Sequence, residues 1–212
     1  MSLFVTGTDT GVGKTHTVVQ LLRLLQASGK TCVGFKPICC GDRHDAESLL
    51  TAGSEGFTID EINPLWLRTP LAPFAAALAE KVKIDVDHLI AAFEALQKRV
   101  DQIFVEGVGG WMVPIRAGFF VSDFAAALKL PVLIVAQNRL GCLNHSALTA
   151  RSVASYGLRC VGIVLNTPSG ANDVAAATNA DILREIVDVP VLPGLTEKMV
   201  KLPSHWRQML DS

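Results

Sequence analysis

The chain is short of net charge, of charged residues altogether and of any cysteine pattern that could hold a metal or a disulfide framework. Its 212 residues set 19 Lys and Arg against 20 Asp and Glu, a formal charge of −1. That balance removes the electrostatic footprint of a general nucleic-acid binder or of a protein held on a membrane surface. Charged residues make up 18% and hydrophobic residues 50%, the opposite of a disordered composition and one suited to a buried, sheet-rich core. The five cysteines, Cys32, Cys39, Cys40, Cys142 and Cys160, are odd in number and lack CxxC spacing. Reduced thiols in a cytoplasmic protein are therefore expected, not disulfides or zinc. No apolar run approaches membrane-spanning length and no basic segment leads into an apolar one at the N-terminus, so neither anchoring nor export is expected. Nor is there a Pro/Gly/Ser-rich linker, an internal repeat or a low-complexity tract, and residues 1–212 are expected to form one domain around one core.

What is present begins at the N-terminus. Leu3-Phe4-Val5-Thr6 is a short apolar run, Gly7-Thr8-Asp9-Thr10-Gly11-Val12-Gly13 a glycine-punctuated turn, and Lys14-Thr15 opens a helix-forming segment. Strand, turn and helix in that order read as a phosphate-binding loop. Its backbone N–H groups converge on an anion, the helix adds its positive end, Lys14 can reach the β- and γ-phosphates and the Thr15 hydroxyl can ligate Mg²⁺. The pattern is a variant: the usual spacing puts a glycine five residues before Gly13, where Thr8 stands, and Gly7 comes one place early.

Beyond the loop, Thr15 to about Ser28 carries an apolar surface too broad for a solvent-facing helix, with Gly29 at its C-terminal cap. Thr31 to Lys36 reads as a second strand stopped by Pro37, which makes a parallel βαβ unit. From Cys39 to Pro73 the pattern loosens into loop-rich territory with a short helix over Ala46 to Ala52. An amphipathic helix follows from Asp85 to Leu96, then a strand Ile103-Phe104-Val105 ending in the glycine-rich turn Glu106-Gly107-Val108-Gly109-Gly110-Trp111. Phe120 to Leu128 predicts a helix, Pro131 to Ala136 a strand buried on both faces, and Asn144 the N-cap of a helix running to about Tyr156. Cys160 to Leu165, Ala171 to Val187 and Val189 to Leu192 predict strand, helix and strand. This alternation fixes the class as α/β, a doubly wound, mainly parallel sheet of the P-loop NTPase type.

Three oxygen-bearing residues suit a shared Mg²⁺: Thr15 in the loop, Asp45 after the second strand and Glu106 at the carboxyl end of a central strand. Each carboxylate has a plainer alternative, since Asp45 opens a helix where any Asp caps well, and Glu106 could be a surface acid or cap. Lys36 follows the strand beside the loop. It is either a solvated strand-end lysine or a second cation near the γ-phosphate, the latter suggesting transfer chemistry in which charge neutralisation and positioning do most of the catalysis. The cysteines read as small hydrophobes, although Cys39 and Cys40 adjoin the site. His16, His44, His88, His145 and His205 show no metal-ligand spacing.

Taken together, Gly7-Thr8-Asp9-Thr10 with Val12-Gly13-Lys14-Thr15, Gly34-Phe35-Lys36-Pro37, Val105 to Trp111, and Leu140-Gly141-Cys142-Leu143-Asn144-His145 closely resemble the dethiobiotin synthetase family, in order, as far as about Asn166. The resemblance also accounts for the variant loop. It implies an ATP- and Mg²⁺-dependent cyclo-ligase of biotin biosynthesis that closes a ureido ring on 7,8-diaminononanoate with CO₂, through a carbamate and a carbamic-phosphoric anhydride. By that resemblance Lys14 and Lys36 neutralise carbamate and phosphate charge, with Thr10 near the diamine. Gly11, Val12, Gly13, Lys14 and Thr15 hold ATP together with Glu106, and Asn166 contacts adenine. Thr15, Asp45 and Glu106 hold Mg²⁺. Cys40 stands at a substrate-side position where the family commonly has serine, and Gly11 where relatives often carry a side chain. Gly141, Cys142, Leu143 and Asn144 would bind the substrate's carboxylate tail across a homodimer interface, with no nucleic-acid or membrane partner. The nearest competing readings are a partitioning or septum-positioning ATPase, which carries a second loop lysine where Asp9 stands here, and an amide-forming synthetase of the cobyrinate kind, which would have a glutaminase-like second domain. A non-catalytic binding module would leave the loop, Lys36 and Glu106 without a use.

Overall fold

Leu3–Gly7 (β1) is buried at every residue, which a strand achieves only when both of its faces are covered. In the computed structural model, which describes residues 2–167 and 173–211, β1 sits in the middle of a six-stranded sheet. Its companions are Cys32–Phe35 (β2), Gln102–Gly110 (β5), Val132–Gln137 (β8), Cys160–Asn166 (β9) and Val191–Pro193 (β10). The strand order is β10-β9-β8-β1-β5-β2, and every pairing is parallel. β1 therefore leads away toward β2 on one side and has β8 on the other. Connections diverge at this point, and the crevice lies beyond the carboxyl ends of the strands. Lys14–Gln26 (α1) packs Val18, Leu21, Leu22, Leu24 and Leu25 inward, as its broad apolar surface requires.

The stretch expected to be loop-rich is more ordered than its composition suggests. Ile38–Cys40 (β3) pairs in parallel with Leu65–Leu67 (β4), and between them lie His44–Ala52 (α2) and Ile59–Ile62 (α3). Thr58 caps α3 with its side chain on the Glu61 N–H, and Glu61 reaches back, a reciprocal capping box. Pro73–Glu80 (α4) and Val86–Gln97 (α5) complete this side, with Asp85 capping α5.

Several boundaries differ from the expectation: α2 starts at His44, before Ala46, and β10 runs over Val191–Pro193, later than the expected Val189 to Leu192. β5 does not end at Val105 but runs on to Gly110, because Gly7 of β1 pairs with Gly110 after a register shift between Val5 and Gly7. Its glycines are strand residues at a crowded edge, and the hairpin Pro114–Arg116 (β6) with Phe119–Phe120 (β7) leads into Val121–Leu128 (α6). Cys142–Ser155 (α7) begins two residues before Asn144, with Gly141 as its N-cap at φ 92°, a left-handed conformation that glycine adopts freely. The expected helix from Ala171 to Val187 is a 3₁₀ turn over Val174–Ala177 followed by Asn179–Ile186 (α8), and residues 171 and 172 lie outside the described residues. A last helix, Ser204–Asp211 (α9), buries Trp206 completely. Among the described residues no helix is long and apolar enough to cross a membrane.

Candidate active site

The loop between β1 and α1 is shaped by what it must admit. A Cβ built on Gly7 would come within 2.6 Å of the Asp9 carbonyl oxygen and 2.9 Å of Lys14 Nζ. The early glycine thus makes room for the loop's own backbone at Asp9, and over that loop Lys14 folds back so that its Nζ donates to Asp9 O at 3.1 Å. Gly13 closes the loop at φ 92°, and a Cβ there would meet Asn166 Nδ2 at 2.5 Å. Asn166, at the end of β9, donates that amide to the carbonyls of Val12 (3.0 Å) and Gly13 (3.2 Å) and lies 3.2 Å from Thr17 Oγ1. Val12 turns its side chain into the core, 4% exposed, and offers the loop only its backbone.

Residues from three separate strand ends meet beside the loop. Val5 of β1 stands opposite Glu106 of β5, and Phe35 of β2 opposite Val105, so Lys36 and Glu106 emerge side by side. Lys36 Nζ donates to Glu106 Oε1 at 2.6 Å and to Asp45 Oδ2 at 2.7 Å. Its side chain is 4% exposed and that of Glu106 0%, whereas Asp45 is 47% exposed. Burial alone would pull the Lys36 pKa down, but the Glu106 and Asp45 carboxylates outweigh it and hold the ammonium above the ordinary lysine value. For Asp45, burial works against ionisation and Lys36 outweighs it, keeping the carboxyl below its ordinary range. For Lys14 the balance is reversed: burial first, then repulsion from Lys36, outweighs Glu106, Asp45 and Asp9 and brings it from 10.5 to about 8.

The Thr15 hydroxyl lies 2.8 Å from Asp45 Oδ1 and 2.8 Å from Glu106 Oε1. A hydroxyl has one proton to give, so one of the two carboxylate contacts lacks a donor. Glu106 Oε2, also buried, has no hydrogen-bond partner. Surplus acceptor oxygens around a hydroxyl fit a hard divalent cation, which takes one or two carboxylates and completes its shell with water and phosphate oxygens. Among the described residues no group of three or more His, Cys, Asp or Glu could hold a metal.

Thr10, Gly11, Gly13, Lys14, Thr15, Lys36, Cys40, Asp45 and Glu106 thus border one cavity of about 750 Å³, which brings together most of the residues expected from sequence. Thr10 is exposed at its mouth, its N–H on Asp9 Oδ1. Cys39, Asp42, Val113 and the segment from Pro70 to Pro73 line it as well; apart from Cys39, whose neighbourhood was legible, nothing in their spacing marks them. Burial pushes the Cys39 and Cys40 thiols up to about 11, so neither offers a thiolate nucleophile at neutral pH. Gly141, Cys142, Leu143 and Asn144 are not among the lining residues. They form the start of α7, with Cys142 buried and Asn144 exposed.

A family model described as AAA domain matches residues 1–199. The chain is 44% identical over 194 residues to the ATP-dependent dethiobiotin synthetase BioD of Akkermansia muciniphila, covering 92% of this chain and 91% of that one. It is 38% identical over 197 residues to the protein of the same name from Aromatoleum aromaticum, covering 89% and 87%. Among solved structures, the septum site-determining protein MinD from Pyrococcus horikoshii, complexed with Mg-ADP, matches with a TM-score of 0.58 at 16% identity over 91% of this chain and 82% of that one. A likeness at that identity shows the shared P-loop sheet and nothing further. Sequence identity of 44% across nine-tenths of both chains is a different kind of observation, and it places this chain in the ATP-dependent dethiobiotin synthetase family.

Proposed function

We propose that the chain closes the ureido ring of dethiobiotin from 7,8-diaminononanoate, CO₂ and ATP, as a Mg²⁺-dependent enzyme whose own side chains form no covalent bond to substrate. One observation carries the reading. Two buried lysines converge on a single phosphate-loop cavity whose only nearby thiols are held protonated. Such a site stabilises negative charge on bound reactants, which supports a reaction in which the reactants attack each other.

In balanced form, one substrate amine adds to CO₂ and loses a proton, giving a carbamate. A carbamate oxygen attacks the γ-phosphorus, the bond to the β-bridging oxygen breaks, and ADP leaves. The second amine then attacks the carbonyl carbon of the mixed anhydride, the C–O bond to phosphate breaks, and the ring closes with release of phosphate and a proton. Lys36 spends two of its three N–H groups on Asp45 and Glu106, leaving one for an oxygen of the carbamate or γ-phosphate. Lys14, with one N–H on Asp9 O, has two left for phosphate oxygens. Thr10 at the mouth faces the diamine, and Cys40 lies on the same side. The backbone of Gly11, Val12 and Gly13 cradles the phosphates, and Asn166 joins the adenine side to the loop. Thr15, Asp45 and Glu106 would hold Mg²⁺, which when bound neutralises phosphate charge during transfer.

The start of α7, from Gly141 to Asn144, is the proposed carboxylate-tail site, a helix N-terminus that favours an anion. Its absence from the cavity of a single chain supports completion across a homodimer. The strongly exposed Leu140 and Leu148, at 80% and 58%, support burial of that face. The proposed setting is the cytoplasm, where the five thiols stay reduced.

The test is direct. Purified protein incubated with ATP, Mg²⁺, bicarbonate and 7,8-diaminononanoate should give one ring-closed product by mass for each ADP formed. ATP consumption without that product would overturn the proposal in favour of a switch ATPase.

A further inference from the structure

β2 is the edge strand of the main sheet, so the main chain just past its end, at Lys36 and Pro37, must find partners outside the sheet. It finds them in the connection from α3 to β4. The Lys36 N–H donates to Ile62 O at 2.9 Å, and the Leu65 N–H donates to Pro37 O at 3.3 Å. Between these two, Asn63 donates its side-chain amide to Lys36 O at 2.7 Å and to Leu65 O at 3.0 Å. Asn63 is 0% exposed. With both of its amide N–H groups spent, its Oδ1 is left to accept, and it accepts from Arg43 Nε at 2.8 Å. Carbonyls facing the nitrogen and a guanidinium facing the oxygen fix which way the amide points.

Arg43 is tied down in turn. Its Nη2 donates to Asn63 O at 2.6 Å and to Asp60 Oδ1 at 2.7 Å, and its guanidinium stands 5.2 Å from the centre of the Trp66 ring. It is also the N-cap residue of α2, whose first turn carries Asp45. One buried amide therefore holds the main chain of Lys36 on one side and, through Arg43, the start of the helix that carries Asp45 on the other. Lys36 and Asp45 are the pair that meets at 2.7 Å beside Thr15 and Glu106. Neither Asn63 nor Arg43 borders the phosphate-loop cavity, so both act through the residues they hold.

We propose, on the reading that Thr15, Asp45 and Glu106 hold Mg²⁺, that Asn63 is a positioning residue which, with Arg43, sets the Lys36 ammonium and the Asp45 carboxylate in register for the metal and the γ-phosphate.

ATP titrated calorimetrically into the full chain, once with Mg²⁺ and once with EDTA in its place, tests this without turnover. The ratio of the two affinities is the gain from the metal site. Arg43→Met keeps the apolar stem, cuts the link to α2 and should shrink that ratio at least about fivefold, and Asn63→Leu keeps the bulk, removes both links and should shrink it at least about tenfold. Lys14 and Thr15 bond to neither residue, so binding with EDTA should stay within about threefold of wild type in both variants. In the ring-closure assay at saturating Mg²⁺ and ATP, Asn63→Leu should also lower kcat at least about tenfold. Equal weakening of ATP binding with and without Mg²⁺ would mean a general loosening of the fold and would overturn the proposal. So would a wild-type ratio in Arg43→Met, or a wild-type kcat in Asn63→Leu. Arg43, whose side chain is 13% exposed, keeps the test decisive if Asn63→Leu folds poorly. Absence of ring closure by the wild type would overturn the proposed function instead, and the paired ATP titrations would still decide the role of Asn63 and Arg43.

Discussion

Replacing Lys14 by methionine should abolish turnover and make the protein more stable. The lysine is 7% exposed, and burial, followed by repulsion from Lys36, lowers its pKa from 10.5 to about 8. At about pH 7 the ammonium is charged in both the folded and the unfolded chain, and holding it charged in the fold costs about 3 kcal/mol. Methionine keeps most of the side-chain volume and removes that cost, at the loss of one hydrogen bond to Asp9 O worth about 1 kcal/mol. The net gain is about 2 kcal/mol, or about 4–8 °C in Tm for a chain of this size. The pH dependence has a definite sign. Through the window from about 8 to 10.5 the folded state releases this proton before the unfolded state does. The unfolded state then binds more protons, and wild-type stability rises with pH. By about pH 10 the penalty has fallen below about 1 kcal/mol and the advantage of the variant should vanish. Urea unfolding of both proteins without nucleotide, at about pH 7 and about pH 10, measures this. A variant less stable than wild type at neutral pH, or a gain that persists unchanged at high pH, would refute the reasoning.

The other buried lysine should behave in the opposite way. Lys36→Met leaves Glu106, 0% exposed, without its cation, and urea unfolding should show a loss of about 3–5 kcal/mol; a neutral effect would mean that the pair contributes nothing in solution. Glu106→Gln keeps the shape but removes the charge next to Thr15 Oγ1, and should raise the Mg²⁺ concentration for half-maximal activity by about tenfold or more. An unchanged Mg²⁺ titration would remove Glu106 from the metal set. Gly13→Ala forces a side chain into a left-handed backbone and against Asn166 Nδ2, so it should cost about 1–3 kcal/mol of stability and raise the KM for ATP; kinetics indistinguishable from wild type would show that the Asn166 contact does not hold the loop.

The sheet strands were legible because burial on both faces leaves a run such as Val132 to Ala136 with no polar residue to interrupt it. β3 and β4 were not, because three-residue strands take their conformation from each other across the intervening α2 and α3, and no local period records such a pairing. Two glycine-containing stretches carry a local signal that the fold overrides. Gly107 to Gly110 have the composition of a turn although the backbone pairs on along β1, and Asn144 has the better capping chemistry although Gly141, with its left-handed φ, starts α7. The reason for the early Gly7 is the close pass of the Asp9 carbonyl in the folded loop, a contact that residue spacing does not record. The cluster of Lys36, Asp45 and Glu106 shows the limit most clearly. Lys36, Asp45 and Glu106 each admit a plain surface reading when taken alone. The lysine's pairing with Asp45 spans 9 positions and that with Glu106 spans 70, so no spacing rule links the three. Once the parallel register sets Glu106 beside the end of β2, the plain readings fail together, because a carboxylate buried there needs a cation and Lys36 is the one that reaches it.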